Sequence, residues 1–231
     1  MKKVILHIVT LLLLATMLSN CSTKKNTWTT RTYKAINTRF NVYFNGMTSY
    51  EEGMKNIIKA NVEDFSDVIP MYPISKPANA KTAASSMDKT IEKCRKAIKL
   101  HSIKQKPELN TKKANKPEYK LFYNQKEFNP ALKDAWLLLA KAEFHKGDFL
   151  GSVGTFAYIA RFYSTDKDMV TKCKLWTARA YLEMGWIYEA EQVLSKLTPN
   201  DISTYNTDIY TSVNAELMIK KDLYKEAIPF L

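Results

Sequence analysis

Apolar residues recur along most of the chain at intervals of three and four, which is the spacing of one face of an α-helix. No stretch shows a convincing alternation of apolar and polar residues of the kind that is typical of a β-strand. An amphipathic helix is predicted at about residues 88–103, and a series of helices is predicted from residue 129 onward. The pattern therefore predicts an all-α fold.

Residues 21–61 are predicted to form an N-terminal helical hairpin. Four apolar residues of the first helix fall on one face: Tyr33, Ile36, Phe40 and Tyr43. Gly46 is expected to end this helix. The sequence from Thr48 to Glu51 has the spacing of a capping box, which predicts the start of a second helix.

Residues 129–231 contain three copies of a pattern that resembles the tetratricopeptide repeat. The first copy opens at Asn129-Pro130, where Asn suits the helix N-cap and Pro the first helical position. A small residue recurs where two helices of a hairpin cross closely, at Ser152, Ala190 and Ala227, with spacings of 38 and 37 residues. The standard repeat is about 34 residues long. We therefore predict a tetratricopeptide-like helical-hairpin solenoid whose last repeat is truncated.

The excess positive charge lies in one segment of the chain. The formal net charge is +12, and residues 76–126 carry 14 basic but only 4 acidic residues. We interpret residues 62–128 as a solvated Pro/Lys-rich insertion, which keeps two helical parts apart and contains the helix at 88–103. A docking arm for an acidic partner or for anionic lipid head groups is the alternative. Thirteen of the 14 basic residues are Lys, whereas Arg is favoured for phosphate recognition, so no nucleic-acid partner is expected.

Residues 1–20 have the features of a lipoprotein signal peptide. Lys2 and Lys3 precede an apolar run that is shorter than the roughly 20 residues needed to span a bilayer. The sequence Leu18-Ser19-Asn20-Cys21 resembles the lipobox of bacterial lipoproteins, in which the Cys becomes the lipid-carrying N-terminus. This resemblance implies lipidation of Cys21. The basic residues that follow favour an outer-membrane anchor with the chain facing the periplasm.

Few residues suggest catalysis or metal binding. Cys94 and His101 could share a helix face, but two ligands do not make a zinc site. Cys94 and Cys173 are expected to be buried apolar thiols, and His145 is expected to have a surface or capping role beside a turn. No nucleophile-elbow or phosphate-loop motif is present in the sequence. The chain is therefore predicted to be non-enzymatic, without a cofactor or a metal.

The order of these features resembles the N-terminal part of the PorW/SprE family of Bacteroidota. The most specific parts of the resemblance are the aromatic and Asn-rich stretch at 33–46 and the sequence His101-Ser102-Ile103, ahead of repeats that open at Asp134. The resemblance implies an outer-membrane scaffold of type IX secretion and gliding motility, with other secretion components as protein partners. Two alternatives remain: a lipoprotein of the β-barrel assembly machinery, or the repeat arm of a cell-wall enzyme whose catalytic domain lies beyond residue 231.

The first helix of each hairpin in a repeat array lines the concave surface, so its non-packing positions are candidates for partner binding. In helix 131–146 these positions are Lys133, Leu137, Lys141 and Phe144. In helix 170–184 they are Lys174, Thr177, Arg179 and Tyr181, with the core as the alternative for Tyr181. The mixture of cations and apolar groups favours an acidic or amphipathic protein segment as the partner.

Overall fold

The structure is a computed structural model that describes residues 25–66 and 68–231. Every regular element in these residues is helical, and none is a strand. This confirms the all-α prediction. The signal peptide predicted at residues 1–20 and the lipidation predicted at Cys21 lie outside the described residues.

The N-terminal part is one unbroken helical stretch. Helix α1 (Trp28–Asn37) continues into a π-helical segment (Thr38–Tyr43) and then into helix α2 (Phe44–Ala60). Thr48 lies inside α2, where its Oγ1 donates a hydrogen bond to the carbonyl of Phe44, four residues back. The predicted helical hairpin and its capping box are therefore wrong.

Helix α3 (Pro77–His101) is longer than the helix predicted at 88–103 and begins with Pro at its first position. It packs along α2 and buries a row of residues that includes Ala83, Met87 and Cys94. For the part of the predicted insertion that α3 forms, the interpretation as a solvated segment that keeps two helical parts apart is therefore wrong. Its first half carries small residues, which pack closely without the large apolar side chains that mark an amphipathic helix.

Gly46 allows a close crossing of α2 and α3. A Cβ atom at Gly46 would lie 3.4 Å from Cβ of Lys93 and 3.7 Å from Sγ of Cys94. Thr90 Oγ1 donates to the Gly46 carbonyl at 3.1 Å. Glycine disfavours a helix by only about 1 kcal/mol relative to alanine, so packing against α3 keeps the helix intact where the sequence predicted its end.

The Lys-rich stretch that follows α3 is largely exposed up to helix α4 (Pro117–Tyr123). Glu127 then forms hydrogen bonds with the chain at the end of α3. Its carboxylate is buried and accepts hydrogen bonds from the backbone N–H groups of Ile103, at 2.7 Å, and Asn129, at 2.9 Å. Asn129 also accepts from the N–H of Ala131. The exposed stretch is therefore a loop whose two ends are held together by the hydrogen bonds of Glu127.

Six helices follow in three hairpins. They are α5 (Leu132–His145), α6 (Phe149–Phe162), α7 (Lys167–Glu183), α8 (Ile187–Leu194), α9 (Thr207–Lys220) and α10 (Tyr224–Ala227). Short 3-10 turns lie at Pro199–Asp201 and Ile228–Phe230.

The three hairpins have equivalent turns. Gly147, Gly185 and Asp222 adopt positive φ angles of 89°, 75° and 59°. At the first turn, Gly147 N–H donates to the Phe144 carbonyl and Asp148 N–H to the Glu143 carbonyl, which is a Schellman motif. The same pair of bonds recurs at the other two turns. The turn residues have the same 38- and 37-residue spacings as the buried small residues Ser152, Ala190 and Ala227.

The N-terminal helices and the first hairpins share one hydrophobic core. Its buried residues come from α2, α3, α5, α6 and α7, and they include Ile57, Met87, Phe144, Phe156 and Trp176. A second cluster joins α7, α8 and α9 through residues such as Leu175, Leu182 and Val213. Ile74, which precedes α3, also belongs to the first cluster. Since α7 contributes to both clusters, α2, α3 and α5–α9 form one continuous packed body.

Candidate functional site

Four of the predicted partner-binding residues lie on α5, and one of them, Phe144, is completely buried, so its predicted availability to a partner is wrong. Lys133 Nζ donates to Asp166 Oδ2 at 3.1 Å, and Asp166 in turn accepts from the N–H of Met169 at the start of α7. Leu137 packs, partly buried, against the main core. Both side chains therefore have contacts within the chain, and their part in partner binding stays a prediction.

Lys141, the third of these residues, has an aromatic contact inside the fold. Its ammonium group lies 5.0 Å from the centre of the Trp176 ring. Desolvation, followed by repulsion from Lys172 and Arg179, lowers the pKa of Lys141 to about 8. Cations are attracted to the face of an indole ring. Reversing the charge of Lys141 would consequently disturb packing as well as surface charge.

The remaining candidates lie on α7 and differ from one another. Lys174 and Thr177 are partly exposed, although the residue that precedes each of them, Cys173 and Trp176 respectively, is buried. Arg179 instead points into the fold, where its guanidinium carbon lies 3.7 Å from the centre of the Tyr72 ring. Lys174 and Thr177 are thus the α7 candidates that remain open to a partner.

A segment that precedes α3 covers part of α7. We call it the covering segment and define it as residues 72–75. Ser75 Oγ donates to Glu183 Oε1 at 3.1 Å, and Ile74 is buried in the main core. Arg179 lies under Tyr72 of the same segment. Part of the surface predicted for partners is therefore occupied by the chain itself, which the repeat pattern alone could not reveal.

The covered region contains buried charge. Glu216 of α9 is 3% exposed, and its Oε1 lies 3.7 Å from Lys220 Nζ. Desolvation, followed by repulsion from Glu183, raises the pKa of Glu216 to about 7. Burial also raises the pKa of Glu183. Glu216 consequently changes its ionisation near neutral pH.

The most extensive exposed apolar surface of the N-terminal stretch lies on α1 and the helical turns that follow it. We call it the aromatic face and define it by five side chains: Trp28, Tyr33, Ile36, Phe40 and Phe44. Trp28 is 73% exposed and Phe40 is 71% exposed. The sequence predicted one helical face for Tyr33, Ile36, Phe40 and Tyr43. Of these residues only Tyr43 packs against the core.

A groove of about 500 Å³ runs beside the aromatic face, between α1 and residues 122–130. Phe122 and Phe128 form its far wall, with ring centroids 5.4 Å apart in an edge-to-face arrangement. Arg31 bridges the two sides, because its guanidinium carbon lies 5.2 Å from the Phe122 ring centre and its Nη1 donates to Asn26 Oδ1 at 2.7 Å. The groove is therefore apolar at its walls and cationic at one end.

Two of the residues considered for chemistry behave as predicted. Cys94 and Cys173 are buried free thiols, and desolvation raises the pKa of each to about 12. Such thiols are packing groups rather than nucleophiles. Within residues 25–66 and 68–231, no group of three or more His, Cys, Asp or Glu side chains is arranged to hold a metal ion.

His145 was expected to have a surface or capping role and is instead buried in the core. Its Nδ1 lies 2.8 Å from the Lys141 carbonyl oxygen and 3.1 Å from the Tyr50 hydroxyl. Desolvation, followed by Arg179, lowers its pKa to about 3. The turn at Gly147 brings the end of α5 against α2, so a residue close to a turn in sequence lies inside the fold.

No protein-family model and no curated protein matches this chain. Among the described residues, no helix has both the length and the apolar character needed to span a bilayer.

Proposed function

We propose that this protein is a non-catalytic scaffold of type IX secretion and gliding motility, attached to the outer membrane by a lipid on Cys21 and facing the periplasm. Its helical hairpins would form a tetratricopeptide-like array that binds other secretion components. The proposal combines the resemblance to the PorW/SprE family with the regular hairpins of the C-terminal half.

The observation that carries the proposal is the regular repeat of the hairpin turns. Gly147, Gly185 and Asp222 recur at nearly constant spacing, with the same backbone hydrogen bonds and a buried small residue five positions later. Arrays of such hairpins present extended surfaces to which protein segments bind. An irregular helical bundle has no reason to repeat one turn at a fixed interval.

The docking surface proposed for the partner includes Lys174 and Thr177 of α7. Both are partly exposed, whereas Lys141 and Arg179 are held by aromatic rings inside the fold. Lys133 is paired with Asp166, and Leu137 packs against the core. An acidic or amphipathic segment fits a surface that combines an ammonium group with a methyl-bearing side chain.

The function is tested by deleting the gene in the source bacterium and measuring secretion and gliding. We expect secreted proteins to accumulate in the periplasm and gliding to be lost, with both restored by the wild-type gene. The Cys21→Ala variant should fail to fractionate with the outer membrane. Normal secretion in the deletion strain would contradict the scaffold proposal, and normal fractionation of Cys21→Ala would contradict the anchor.

The docking surface is tested by the double variant Lys174→Glu, Thr177→Asp. We expect several-fold less co-purification of secretion components and unchanged thermal unfolding, because surface changes away from special features alter stability by no more than about 0.5 kcal/mol. Lys225→Glu, at an exposed position of α10, is the matched control and should retain its partners. Equal capture by both variants would exclude this surface.

A further inference from the structure

We propose that the aromatic face, formed by Trp28, Tyr33, Ile36, Phe40 and Phe44, lies on the surface of an anionic membrane. This inference rests on the lipid anchor of the proposed function and adds a second, non-covalent membrane contact to it. The occupant of the face is thus a lipid surface rather than another protein.

The first argument is the exposure of these side chains. Trp28, Phe40 and Phe44 are each more than half exposed, whereas Phe144 and Phe156 of the hairpins are completely buried. Contiguous exposed apolar groups on a soluble protein mark an interaction surface. The aromatic face therefore needs a partner that covers it.

The second argument is the arrangement of the face along the helix. Ile36, Phe40 and Phe44 are spaced by four residues, and residues four apart lie on the same side of a helix. The helical stretch from residue 28 to residue 44 spans roughly 24 Å at 1.5 Å per residue. A row of apolar side chains along a helix of this length permits the helix to lie flat in the interface of a bilayer.

The third argument is charge. Residues 25–50 contain Lys25, Arg31, Lys34 and Arg39 but no acidic residue. Trp and Tyr side chains favour the interface of a membrane, and Lys and Arg are attracted to anionic head groups. Other exposed aromatic residues have acidic neighbours: Tyr188, for example, precedes Glu189. In space, the acidic groups near the face are Asp134, which lies close to Arg39, and Glu127, which is buried and accepts backbone hydrogen bonds. The excess of basic residues around the aromatic side chains favours a lipid surface.

The fourth argument is distance along the chain. Cys21 lies seven residues before Trp28, and seven extended residues reach at most about 25 Å. A lipid on Cys21 would therefore hold the start of α1 next to the membrane surface. The lipid and the aromatic face together would fix the orientation of the repeats relative to the membrane, which a single tether leaves free.

The experiment measures the depth of introduced probes in vesicles that carry the processed, lipid-bearing full chain. The vesicles contain phosphatidylcholine and phosphatidylglycerol, with brominated acyl chains as the quencher. An environment-sensitive fluorophore is attached to Phe40→Cys or, as the matched control, to Tyr205→Cys, which replaces an 82% exposed aromatic residue of the repeat half. Cys94 and Cys173 are buried and leave the introduced thiol as the reactive one.

We expect several-fold stronger quenching by the brominated lipid at position 40 than at position 205, together with blue-shifted emission at position 40 alone. A chain that stays on the vesicles while its probe at position 40 is quenched by aqueous iodide as strongly as the control would overturn this inference and leave the face to a protein partner. Loss of the chain from the vesicles in an alkaline wash would overturn the lipid anchor, and this inference with it.

Discussion

Three aromatic side chains of the hairpins and two of the N-terminal stretch have opposite environments. In the hairpins, Phe144, Phe156 and Trp176 pack against one another, with Phe144 and Trp176 edge to face at 5.3 Å. In the N-terminal stretch, Trp28 and Phe40 extend into solvent from a helix whose opposite side contacts the core. Similar residue types at similar helical spacings thus stabilise the fold in one half and form a surface in the other.

The N-terminal stretch and the hairpins also differ in their balance of acidic and basic residues. Residues 25–50 have no acidic side chain, whereas residues 127–231 carry 12 basic and 14 acidic residues. The hairpins use their charges in intramolecular pairs such as Lys133–Asp166 and Lys221–Glu191. The N-terminal cations have few such partners nearby in sequence. Several charges of the hairpins thus pair with one another, whereas Arg31 and Lys34 of the N-terminal stretch contact uncharged groups, the Asn26 side chain and the Ser102 carbonyl.

The largest expected effect tests the two environments of Phe directly. Phe156→Ala should lower the free energy of unfolding by about 3–5 kcal/mol, because it removes a fully buried ring and leaves a cavity. Phe40→Ala, the matched change at a 71% exposed ring, should alter it by no more than about 0.5 kcal/mol. Chemical denaturation of both variants measures this difference. Similar losses would show that the aromatic face is part of the core.

The next effect concerns the buried carboxyl of the hairpins. The pKa of Glu216 is raised from 4.5 to about 7, so the folded state keeps a proton that the unfolded state loses between these values. The stability contributed by protonated Glu216 is complete below pH 4.5 and is lost as the pH rises to 7. Glu216→Gln keeps the neutral form, and it should raise the free energy of unfolding at pH 8 by an amount on the order of 2 kcal/mol relative to the parent.

The measurement for Glu216 is the difference in unfolding free energy between variant and parent from pH 4.5 to pH 8. This difference should grow with pH, and at pH 8 it should exceed the difference given by Glu189→Gln, the control at an exposed position. Glu183, Lys220 and Arg179 also face Glu216 and influence its pKa. If the difference in unfolding free energy between Glu216→Gln and the parent were the same at every pH, Glu216 would be ionised in the folded state without a cost in free energy.

A smaller effect tests whether the repeated turns constrain the hairpins. Gly185 has a φ angle of 75°, and no neighbouring atom lies within 4 Å of the position that a Cβ would take, so Gly185→Ala should cost about 1–2 kcal/mol of unfolding free energy through backbone strain alone. Gly154, inside α6, is equally open but has no positive φ angle. Gly154→Ala should raise stability by about 0.4–1 kcal/mol. Effects of the same sign would contradict the backbone explanation.

The sequence was sufficient to predict the hairpins because their packing is local. The turn glycines and small crossing residues recur at fixed intervals, and each hairpin contacts the next one in sequence. The course of α3 was not predictable in this way. The residues of α2 that it contacts, such as Gly46 and Gly53, are distant from it in sequence. The sequence also does not distinguish a glycine that ends a helix from a glycine that allows another helix to pack closely.

The candidate surfaces were only partly predictable for the same reason. Periodicity identified the row of Tyr33, Ile36 and Phe40 but could not show whether another element covers it. It likewise could not show that residues 72–75 cover Arg179 on α7. Lys141 was predicted as a free cation, although the ring of Trp176, on the next hairpin, lies beside it. Long-range contacts decide which side chains remain available to a partner.

The smallest expected effect concerns the Lys-rich loop between α3 and α4. Lys112, Lys113 and Lys116 are exposed, and the turn bonds at Lys113 and Lys116 are formed by main-chain atoms that substitution leaves in place. Replacing all three by Ser should change the free energy of unfolding by no more than about 0.5 kcal/mol. Lys106→Ser is the control, because the Lys106 ammonium lies 4.7 Å from the centre of the Tyr123 ring, a contact worth about 0.5–1 kcal/mol when exposed. Denaturation at low salt measures the free energy of unfolding of both variants. A larger decrease in the triple variant than in Lys106→Ser would show that the charges of the loop, like those of the hairpins, stabilise the fold.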